Sequence, residues 1–463
     1  MPMLAPLLLA LAAAAAPLGP PGVPLCLDDA LAEAARNNPD LQLARLQGES
    51  ADAQASASWA GVLPRLDLTA GFGRIHYGAQ ERVVTAPAIG TDPQTGAPTF
   101  TFEQNAVETP ARGFASYSLG LQLQQPLFDG FRSWTEIEKA KVGLKEARRA
   151  VDETQLTVAF EVTRRFYEVV KAQQGAQVLT ETVALSDGYV QRARALFEAG
   201  RGAKSELIAA QVNLGTDRAG LETQRARVVQ AWTDLALVVG RDASQPLEVS
   251  EPDQVQLVAH RSPPPLGSLA ELVERAKASR PAVARARAAL EAATLDKRIA
   301  SADRYPTVGL GLGYERSGPN FTGSEGVYGN PVRQYVASAQ LYGQWNLFNG
   351  GRTRAAEQTA AIAERRARVG LAQAEQQVAA EVARAYATVV SLTRSVELSD
   401  QNLASAEEGV RLSTERLGAG AATQLEVRDA SLKLTSSRLT LVNARIDLII
   451  ARAELNRAVG GGL

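Results

Sequence analysis

The most constraining feature of this 463-residue chain is an internal duplication. The segment Leu127–Arg132 (LFDGFR) returns as Leu347–Arg352 (LFNGGR), at an offset of 220 positions. Upstream, Pro64 matches Pro306 at an offset of 242 positions. The two offsets differ by 22 residues, so the first copy carries an excess of that length before Leu127. The molecule is therefore a tandem duplication, and we expect the two copies to differ mainly in one loop.

Each copy contains two long segments in which apolar residues recur every seven positions. No proline interrupts them between Leu127 and Gln245 or after Pro331, and both are rich in strong helix formers. The repeating residues are Val162, Val169, Ala176, Val183, Val190, Phe197, then Leu207, Leu214, Leu221, Val228, Leu235, and in the second copy Val382, Val389, Val396, Leu403, Val410, Leu417, then Val427, Leu434, Leu441, Leu448, Leu455. Sustained heptads predict left-handed coiled-coil packing.

Glycines separate the two heptad segments of each copy, as a tight turn between helices requires. These tip glycines are Gly200 and Gly202 in the first copy and Gly418 and Gly420 in the second. The pattern predicts one helical hairpin over residues 130–239 and another over residues 350–459. A first arm that ends near Glu198 would be about 100 Å long at 1.5 Å per residue, which is too long for a compact globule.

Four shorter segments alternate apolar and polar residues and are predicted to be strands with one apolar and one polar face. They lie at about 65–77, 114–126, 307–316 and 334–347. About ten residues suffice for a tilted strand to cross a bilayer, but the smallest membrane barrels use about eight strands. Lipid does not tolerate open sheet edges, so the strand number predicts an oligomer that closes one shared barrel.

The remaining segments complete the domain organisation. Residues 1–22 are predicted to be a secretory signal peptide, because the apolar stretch from Leu4 to Ala16 is too short to span a bilayer. Residues 27–240 form the first repeat, 241–267 a linker, and 268–460 the second repeat. Cys26 is interpreted as a buried thiol; lipidation at a processed N-terminus is the alternative.

Composition excludes several classes of protein. With 49 basic and 50 acidic residues, nothing indicates nucleic-acid binding. The chain has two histidines, His76 and His260, and one cysteine, so a metal cage or a disulfide framework is not expected. No nucleophile and base, and no phosphate-binding loop, stand out. We therefore expect neither an enzyme nor a cofactor.

Three other interpretations compete with a membrane duct. Heptads alone favour a coiled-coil scaffold, and the strands alone could form a soluble hairpin on a helix. A porin would need many more alternating segments than these four. The signal-like leader, the matched strand pairs and the duplication together favour an export duct. A secreted or periplasmic coiled-coil scaffold or adhesin without a pore remains the alternative.

These features together resemble the TolC-like outer-membrane efflux protein family. The resemblance covers about Leu27 to Gly460. It rests on the segments Leu27–Leu31 (LDDAL), Asn38–Leu41 (NPDL), Arg280–Pro281, Leu127–Gly130 and Leu347–Gly350, and on the tip glycines Gly200 and Gly420. Their order, spacing and duplication, rather than any single motif, carry the match.

The resemblance implies a mainly α-helical chain with a membrane β-barrel contribution. Three copies would form a trimeric α-barrel tunnel, and their four strands each would close one twelve-stranded barrel in the outer membrane. Most of the chain would lie in the periplasm, with an equatorial band around the linker. The tunnel tip would dock a periplasmic adaptor protein joined to an inner-membrane transporter, which supplies the energy for efflux or type I secretion. The sequence does not specify the cargo.

The resemblance also points to an acidic ring where the tunnel narrows. The matching residues are Glu426 and Asp429, three apart and so on one helix face. Six carboxylates around a threefold axis would favour cations over anions. The simpler interpretation is that Thr423 and Glu426 form a capping box and that Asp429 is a solvated charge. In the first copy Glu206 matches Glu426, but Ala209 stands where Asp429 would be.

The family often ties its closed gate with an aromatic and a basic residue near this turn. Leu417 and Ala422 occupy those positions here, so the chain departs from the pattern. The basic residues that could substitute are Arg416, Arg428, Arg201 and Lys204.

Overall fold

A computed structural model of the chain describes residues 25–243, 267–323, 327–328 and 335–461. The predicted signal peptide, most of the predicted linker and His260 lie outside the described residues. The described chain forms two compact units. Unit 1 comprises residues up to Asp52, Val142–Glu291 and Arg365 onward, and unit 2 comprises Ala53–Lys141 and Ala292–Glu364.

Long helices dominate both copies. The helices of the first copy are α1 (Leu27–Asn37), α2 (Pro39–Ala57), α3 (Arg132–Glu198) and α4 (Lys204–Val239), with a short 3₁₀ turn at Ser58–Gly61. Those of the second copy are α5 (Leu269–Ser279), α6 (Pro281–Ala302), α7 (Arg352–Gly418) and α8 (Gln424–Val459). The two hairpins are α3–α4 and α7–α8, and their arms match in length, with 67 and 36 residues in each copy.

The heptad residues form the core of unit 1. Val162 and Val169 are fully buried in one apolar cluster with Phe166 and Leu235. Their second-copy counterparts, including Val382, lie in a second cluster that α5 also enters. The heptad packing thus follows the predicted pattern, except that Phe197 at the end of α3 is 40% exposed. Phe197 lies in the last turn of α3, and no further turn of the hairpin packs over its side chain.

In unit 1 the polar residues that directly precede α2 and α6 bind the end of the last helix of their own copy. The Asn38 amide donates to the Val238 carbonyl at 2.7 Å, and so satisfies a carbonyl at the end of α4. In the second copy the Arg280 guanidinium donates to the Arg457 carbonyl at the end of α8. The two contacts reach the ends of corresponding helices through different chemistry, an amide in the first copy and a guanidinium in the second.

Arg280 is the most deeply buried charged side chain among the described residues, with 3% of its surface exposed. It donates to both carboxylate oxygens of Glu153, at 2.7 and 3.2 Å, and lies 3.5 Å from a carboxylate oxygen of Glu381. The adjacent Ser279 hydroxyl donates to the Val459 carbonyl at 2.7 Å. This cluster therefore ties α3, α7 and the end of α8 to the junction between α5 and α6.

Unit 2 contains a four-stranded antiparallel sheet in the order β1-β4-β5-β6. Its strands are β1 (Arg65–Tyr77), β4 (Arg112–Phe128), β5 (Thr307–Gly318) and β6 (Tyr335–Gln344). The order leaves one edge of β1 and one edge of β6 without a partner strand among the described residues of this chain.

The register gives the sheet two chemically distinct faces. Leu68 lies opposite Leu121, which lies opposite Tyr314 and then Ala337, so one face is apolar across all four strands. On the other face Asp67 lies opposite Gln122, followed by Gly313 and Ser338. We refer to these as the apolar face and the polar face. The apolar side chains are exposed within the single chain, Leu68 at 69%.

The repeated segment after β4 is a strand-to-helix turn. Gly130 and Gly350 have φ of 70° and 68°, in the left-handed region that favours glycine. In the first copy Phe131 follows with φ of 65°, which is strained for a residue with a side chain. The Asp129 carboxylate then accepts from the Ser133 N–H at 2.8 Å, and so caps α3.

The excess in the first copy is a β-hairpin and not the loop that the sequence predicts. Strands β2 (Gln80–Thr91) and β3 (Pro98–Thr109) pair antiparallel as a separate two-stranded sheet. A tight turn joins them, in which the Gln94 N–H donates to the Asp92 carboxylate at 2.9 Å and Gly96 has φ of 69°. Hydrogen bonds from Gln94 and Thr95 lower the pKa of Asp92. The described residues thus contain six strands, four of them in the larger sheet.

Among the described residues no helix has the length and apolar character needed to cross a bilayer. The predicted fold class, duplicated helical hairpins with four sheet strands per chain, is confirmed.

Candidate functional site at the helical tips

The two hairpins end in the same turn. Gly200 and Gly420 each have φ of 73° and donate to the carbonyls of Phe197 and Leu417, at 2.9 and 3.1 Å. The next residue in each copy donates to a carbonyl one position earlier, which is the paired bonding of a Schellman turn. A side chain at either glycine would be strained, so these two positions require glycine.

The other two tip glycines have different roles. Gly418 is the last residue of α7 and Gly202 lies two residues before α4, and neither has a positive φ. A Cβ atom at Gly202 would lie 3.0 Å from the Cβ of Leu196, so this position needs a small residue for space.

Glu426 lies in the first turn of α8, where it completes a capping box with Thr423. The Glu426 N–H donates to the Thr423 hydroxyl at 3.3 Å, and the Thr423 N–H donates back to the carboxylate at 3.4 Å. Arg416 lies 3.6 Å from the same carboxylate. Asp429 pairs with Lys433 at 2.7 Å on the next turn. Both carboxylates are largely exposed, so neither partner removes them from solvent.

The first copy differs at this point. Glu206 lies in the first turn of α4, but the N-cap residue there is Ala203, whose side chain makes no cap. The tips of the two copies therefore share the same backbone turn but differ in their capping and charged side chains.

A partly buried ion pair joins the two hairpins near the tips. Arg428 on α8 donates to both carboxylate oxygens of Asp217 on α4, each at 2.8 Å. The Ser186 hydroxyl on α3 donates to the same carboxylate and accepts from Arg428 at 3.1 Å. The side chains of Arg428 and Asp217 are only 14% and 10% exposed. Such a bidentate pair has strict geometric requirements and holds three helices in register.

Burial by itself would raise the pKa of Asp217, because it disfavours the charged carboxylate. The hydrogen bonds from Arg428 and Ser186, together with the positive charge of Arg428, outweigh burial and lower the pKa below its usual value. The pair is therefore charged at neutral pH.

A cavity of about 230 Å³ lies between the two hairpins beside this ion pair. Its apolar lining comes from Ala209, Ala210, Leu417, Leu425 and Val427, and its polar lining includes Tyr189, Arg192, Glu206, Asn213 and Arg428. Glu206 thus faces a groove between hairpins, whereas Glu426 and Asp429 do not line it.

The sequence pointed to Arg428 as one of four basic candidates at the tip but not to Asp217 or Ser186. A signal for Asp217 is present. It lies three residues after Leu214, a position that a coiled coil normally fills with an apolar residue. A charged residue in that seam indicates a buried partner on a facing helix.

The remaining candidates lie apart from the tips. The Cys26 thiol, which the sequence predicts to be buried, is partly exposed just before α1 and donates to the Asp29 carboxylate at 2.9 Å. The neighbouring Leu25, rather than Cys26, is buried in the core of unit 1. His76 lies near the end of β1, opposite Gly113. In the part of the chain that the structure describes, no cluster of three or more His, Cys, Asp or Glu side chains is arranged to hold a metal ion.

The sheet has two-faced strands of membrane-crossing length, and the paired heptad hairpins end in glycine turns. Together these features define an outer-membrane duct built from a β-barrel and a helical tunnel. The chain belongs to the outer membrane efflux protein family, whose model matches residues 30–241 and 272–461. The predicted family and outer-membrane location are thereby confirmed.

Individual relatives agree with this assignment. Protein CyaE of Bordetella pertussis is 28% identical over 288 residues, which span 62% of this chain and 58% of that protein. The pyoverdine export outer membrane protein OpmQ of Pseudomonas aeruginosa is 26% identical over 443 residues, or 94% of this chain and 85% of that protein. The open state of the MtrE outer membrane channel of Neisseria gonorrhoeae has the same fold, with a TM-score of 0.74, 18% identity and coverage of 94% of this chain and 89% of that one.

The protein is therefore an outer-membrane exit duct, as predicted. Members of its family are passive channels that act as trimers with an adaptor and an inner-membrane pump.

Proposed function

We propose that three copies of this chain close one twelve-stranded barrel through the open edges of β1 and β6. The observation that carries the proposal is the two-faced sheet, whose edges have no partner within the described chain. Lipid around an open edge would leave backbone groups unsatisfied at a cost of several kcal/mol each. With the apolar face toward lipid, the polar face lines the lumen.

The strand ends that continue into helices, near Arg65 and Phe128, then face the periplasm. The opposite ends, near Tyr77 and Gly318, face the exterior. The duct itself carries out no chemical reaction, and the inner-membrane partner supplies the work of transport.

Electrophysiology on the purified protein tests this function. We expect a heat-sensitive trimer that gives discrete conductance steps in planar bilayers. A monomer, or a trimer that never conducts, would instead support the scaffold or adhesin without a pore.

The tips are the proposed docking site for the periplasmic adaptor. The cavity between the hairpins offers an apolar floor, including Leu425, with Arg192 and Glu206 among its polar residues. Leu425 is 77% exposed, so its apolar side chain is accessible to a partner. The rigid turns at Gly200 and Gly420 hold both helix ends beside this groove.

Glu426 and Asp429 are the proposed acidic ring of the constriction. Their exposure supports this role, since a carboxylate that selects ions must remain accessible to them. The contacts with Thr423, Arg416 and Lys433 support the simpler interpretation as caps and surface ion pairs. The two interpretations predict different ion selectivity.

We expect Glu426→Gln combined with Asp429→Asn to lower the preference of the open channel for cations. Glutamine also completes a capping box, so the change removes charge and keeps the start of α8. The measurement is the reversal potential of single channels under a salt gradient. Glu206→Gln, at the matching position of the first copy, is the control. A reversal potential equal to that of the parent protein would leave the caps as the whole role of these residues.

A further inference from the structure

The hairpin of β2 and β3, which we call the outer ribbon, continues the strand pair β1–β4 without a change of register. Tyr77 lies opposite Arg112, and three residues further along each strand Gln80 lies opposite Thr109. No residue is inserted on either side, so the alternation of side chains between the two faces carries through from the sheet into the ribbon. Twelve paired rows extend the strand pair by about 40 Å at 3.4 Å per residue.

The ribbon face that continues the polar face of the sheet is mostly apolar in its outer half. The polar face includes Asp67 and Gly71, but at the outer end of β1 it changes to Ile75 and Tyr77. The Tyr77 ring stacks on Phe114 at 5.7 Å. Beyond a pair of opposed carboxylates, Glu81 and Glu108, the same face carries Val83 opposite Ala106 and then the polar pair Thr85 and Gln104. Its outer rows are Pro87 opposite Phe102 and Ile89 opposite Phe100.

These side chains have no cover within the described chain. Ile89 and Phe100 are each 72% exposed and Phe102 is 74% exposed. Among the described helices and strands, the ribbon makes extensive contacts only between its own two strands. A single two-stranded hairpin is at best marginally stable in water, and an apolar face of this size marks an interaction surface.

We propose that the outer ribbons of three copies pack together by this face and form a lid over the external mouth of the duct. This inference rests on the proposed function, which places the ribbons around one axis. The occupant is a second copy of this chain because the face continues the lumen side of the strand pair. Three ribbons on a common axis therefore present the same apolar residues to one another.

The other face of the ribbon fits this arrangement. It carries Thr99 and Thr101 near the turn and Arg82, Glu103 and Asn105 nearer the sheet, together with Val84 and Val107. It is the more polar of the two faces, which suits contact with water outside the lid. The lid would restrict passage at the outer end of the duct and would have to separate for cargo to leave.

Cysteine cross-linking tests the contact in the intact trimer. In a Cys26→Ser background, Phe102→Cys should form disulfide-linked dimers when copper phenanthroline is the oxidant. Thr101→Cys, the adjacent position on the other face, is the matched control and should stay monomeric on denaturing gels. Both variants are first shown to be heat-sensitive trimers.

If the Phe102→Cys variant does not cross-link, its rate of reaction with a membrane-impermeant maleimide distinguishes the remaining outcomes. If the Phe102→Cys variant does not cross-link and reacts as fast as the Thr101→Cys variant, the face is free and the lid does not exist. If the Phe102→Cys variant is protected from the maleimide and still does not cross-link, a different occupant covers the face and the proposal is equally overturned.

Conductance gives a second, independent readout. We expect Phe100→Ser with Phe102→Ser to raise single-channel conductance severalfold, whereas Thr99→Ser with Thr101→Ser should leave it unchanged. Equal conductance of both double variants and the parent protein would exclude the lid while leaving the duct intact. A parent trimer that does not conduct would instead count against the proposed function itself.

Discussion

Replacing Arg280 with leucine is expected to destabilise the trimer by about 3–5 kcal/mol per chain, the usual cost of removing one partner of a buried ion pair. Glu153 would be left 20% exposed without its cation, and the carbonyl of Arg457 would lose its donor. The measurement is the denaturant midpoint of the detergent-solubilised trimer, followed by helical circular dichroism.

Arg287→Leu is the matched control, because Arg287 lies in α6, which begins directly after Arg280, and is also paired with a glutamate. Its contact with Glu375 is long, 3.7 Å, and its side chain is 52% exposed. A surface pair of this kind contributes about 0–1 kcal/mol. If the two leucine variants unfold at the same denaturant concentration, Arg280 does not hold the helices together as described.

The second large effect is expected from Arg428 and Asp217. Arg428→Leu or Asp217→Leu leaves one buried charge unpaired between the hairpins, again at a cost of about 3–5 kcal/mol. The double variant Arg428→Leu with Asp217→Leu removes both charges, and we expect it to recover most of the lost stability. Because the pair joins α4 to α8 at the tips, we also expect each single variant to conduct more than the parent trimer.

Two measurements distinguish a gate from a structural bridge. Single-channel conductance should rise in both single variants and stay raised in the double variant, because all three lack the bridge between α4 and α8. A loss of thermal stability with no change in conductance in either single variant would show that the ion pair is structural only.

The pH dependence of this ion pair has a definite sign. The folded-state pKa of Asp217 lies below the ordinary aspartate value of 3.8. Its contribution to stability is therefore fully present above that value and is lost as the pH falls through the lower, folded-state pKa. Mild acidification to about pH 5 should leave the bridge intact, so any opening of the tips in that range must come from another group.

Most of the fold could be predicted because it is determined by the spacing of apolar residues, every seven positions in the helices and every two in the strands. The heptads from Val162 and Val382 became buried seams, and the alternating strands became a two-faced sheet. Closure of the barrel is our proposal from strand counting, because β1 and β6 each leave one edge unpaired within the described chain.

The outer ribbon was missed for a physical reason. Its alternation is visible in Phe100 and Phe102 between threonines, but Pro87 lies inside the first strand. Proline cannot donate to a strand ladder and argues against a central strand. In a two-stranded ribbon every strand is an edge, so proline is tolerated where its missing N–H would face away from the partner.

Only part of the candidate site could be predicted. Backbone requirements identified Gly200 and Gly420, and the capping-box spacing identified Glu426 with Thr423. The pairing of Arg428 with Asp217 depends on which helices face each other, and heptads alone do not specify that.

The order of strands in the sheet governs when the protein can fold. Within the sheet, β4 pairs with β5 so that Tyr117 lies opposite Gly318, about two hundred residues later in the chain. Pairings of such high contact order form late, because a long loop must close before they contribute any stability. During synthesis and export the apolar strands of the first copy must therefore wait for the second, and their unpaired edges are open to aggregation throughout that interval.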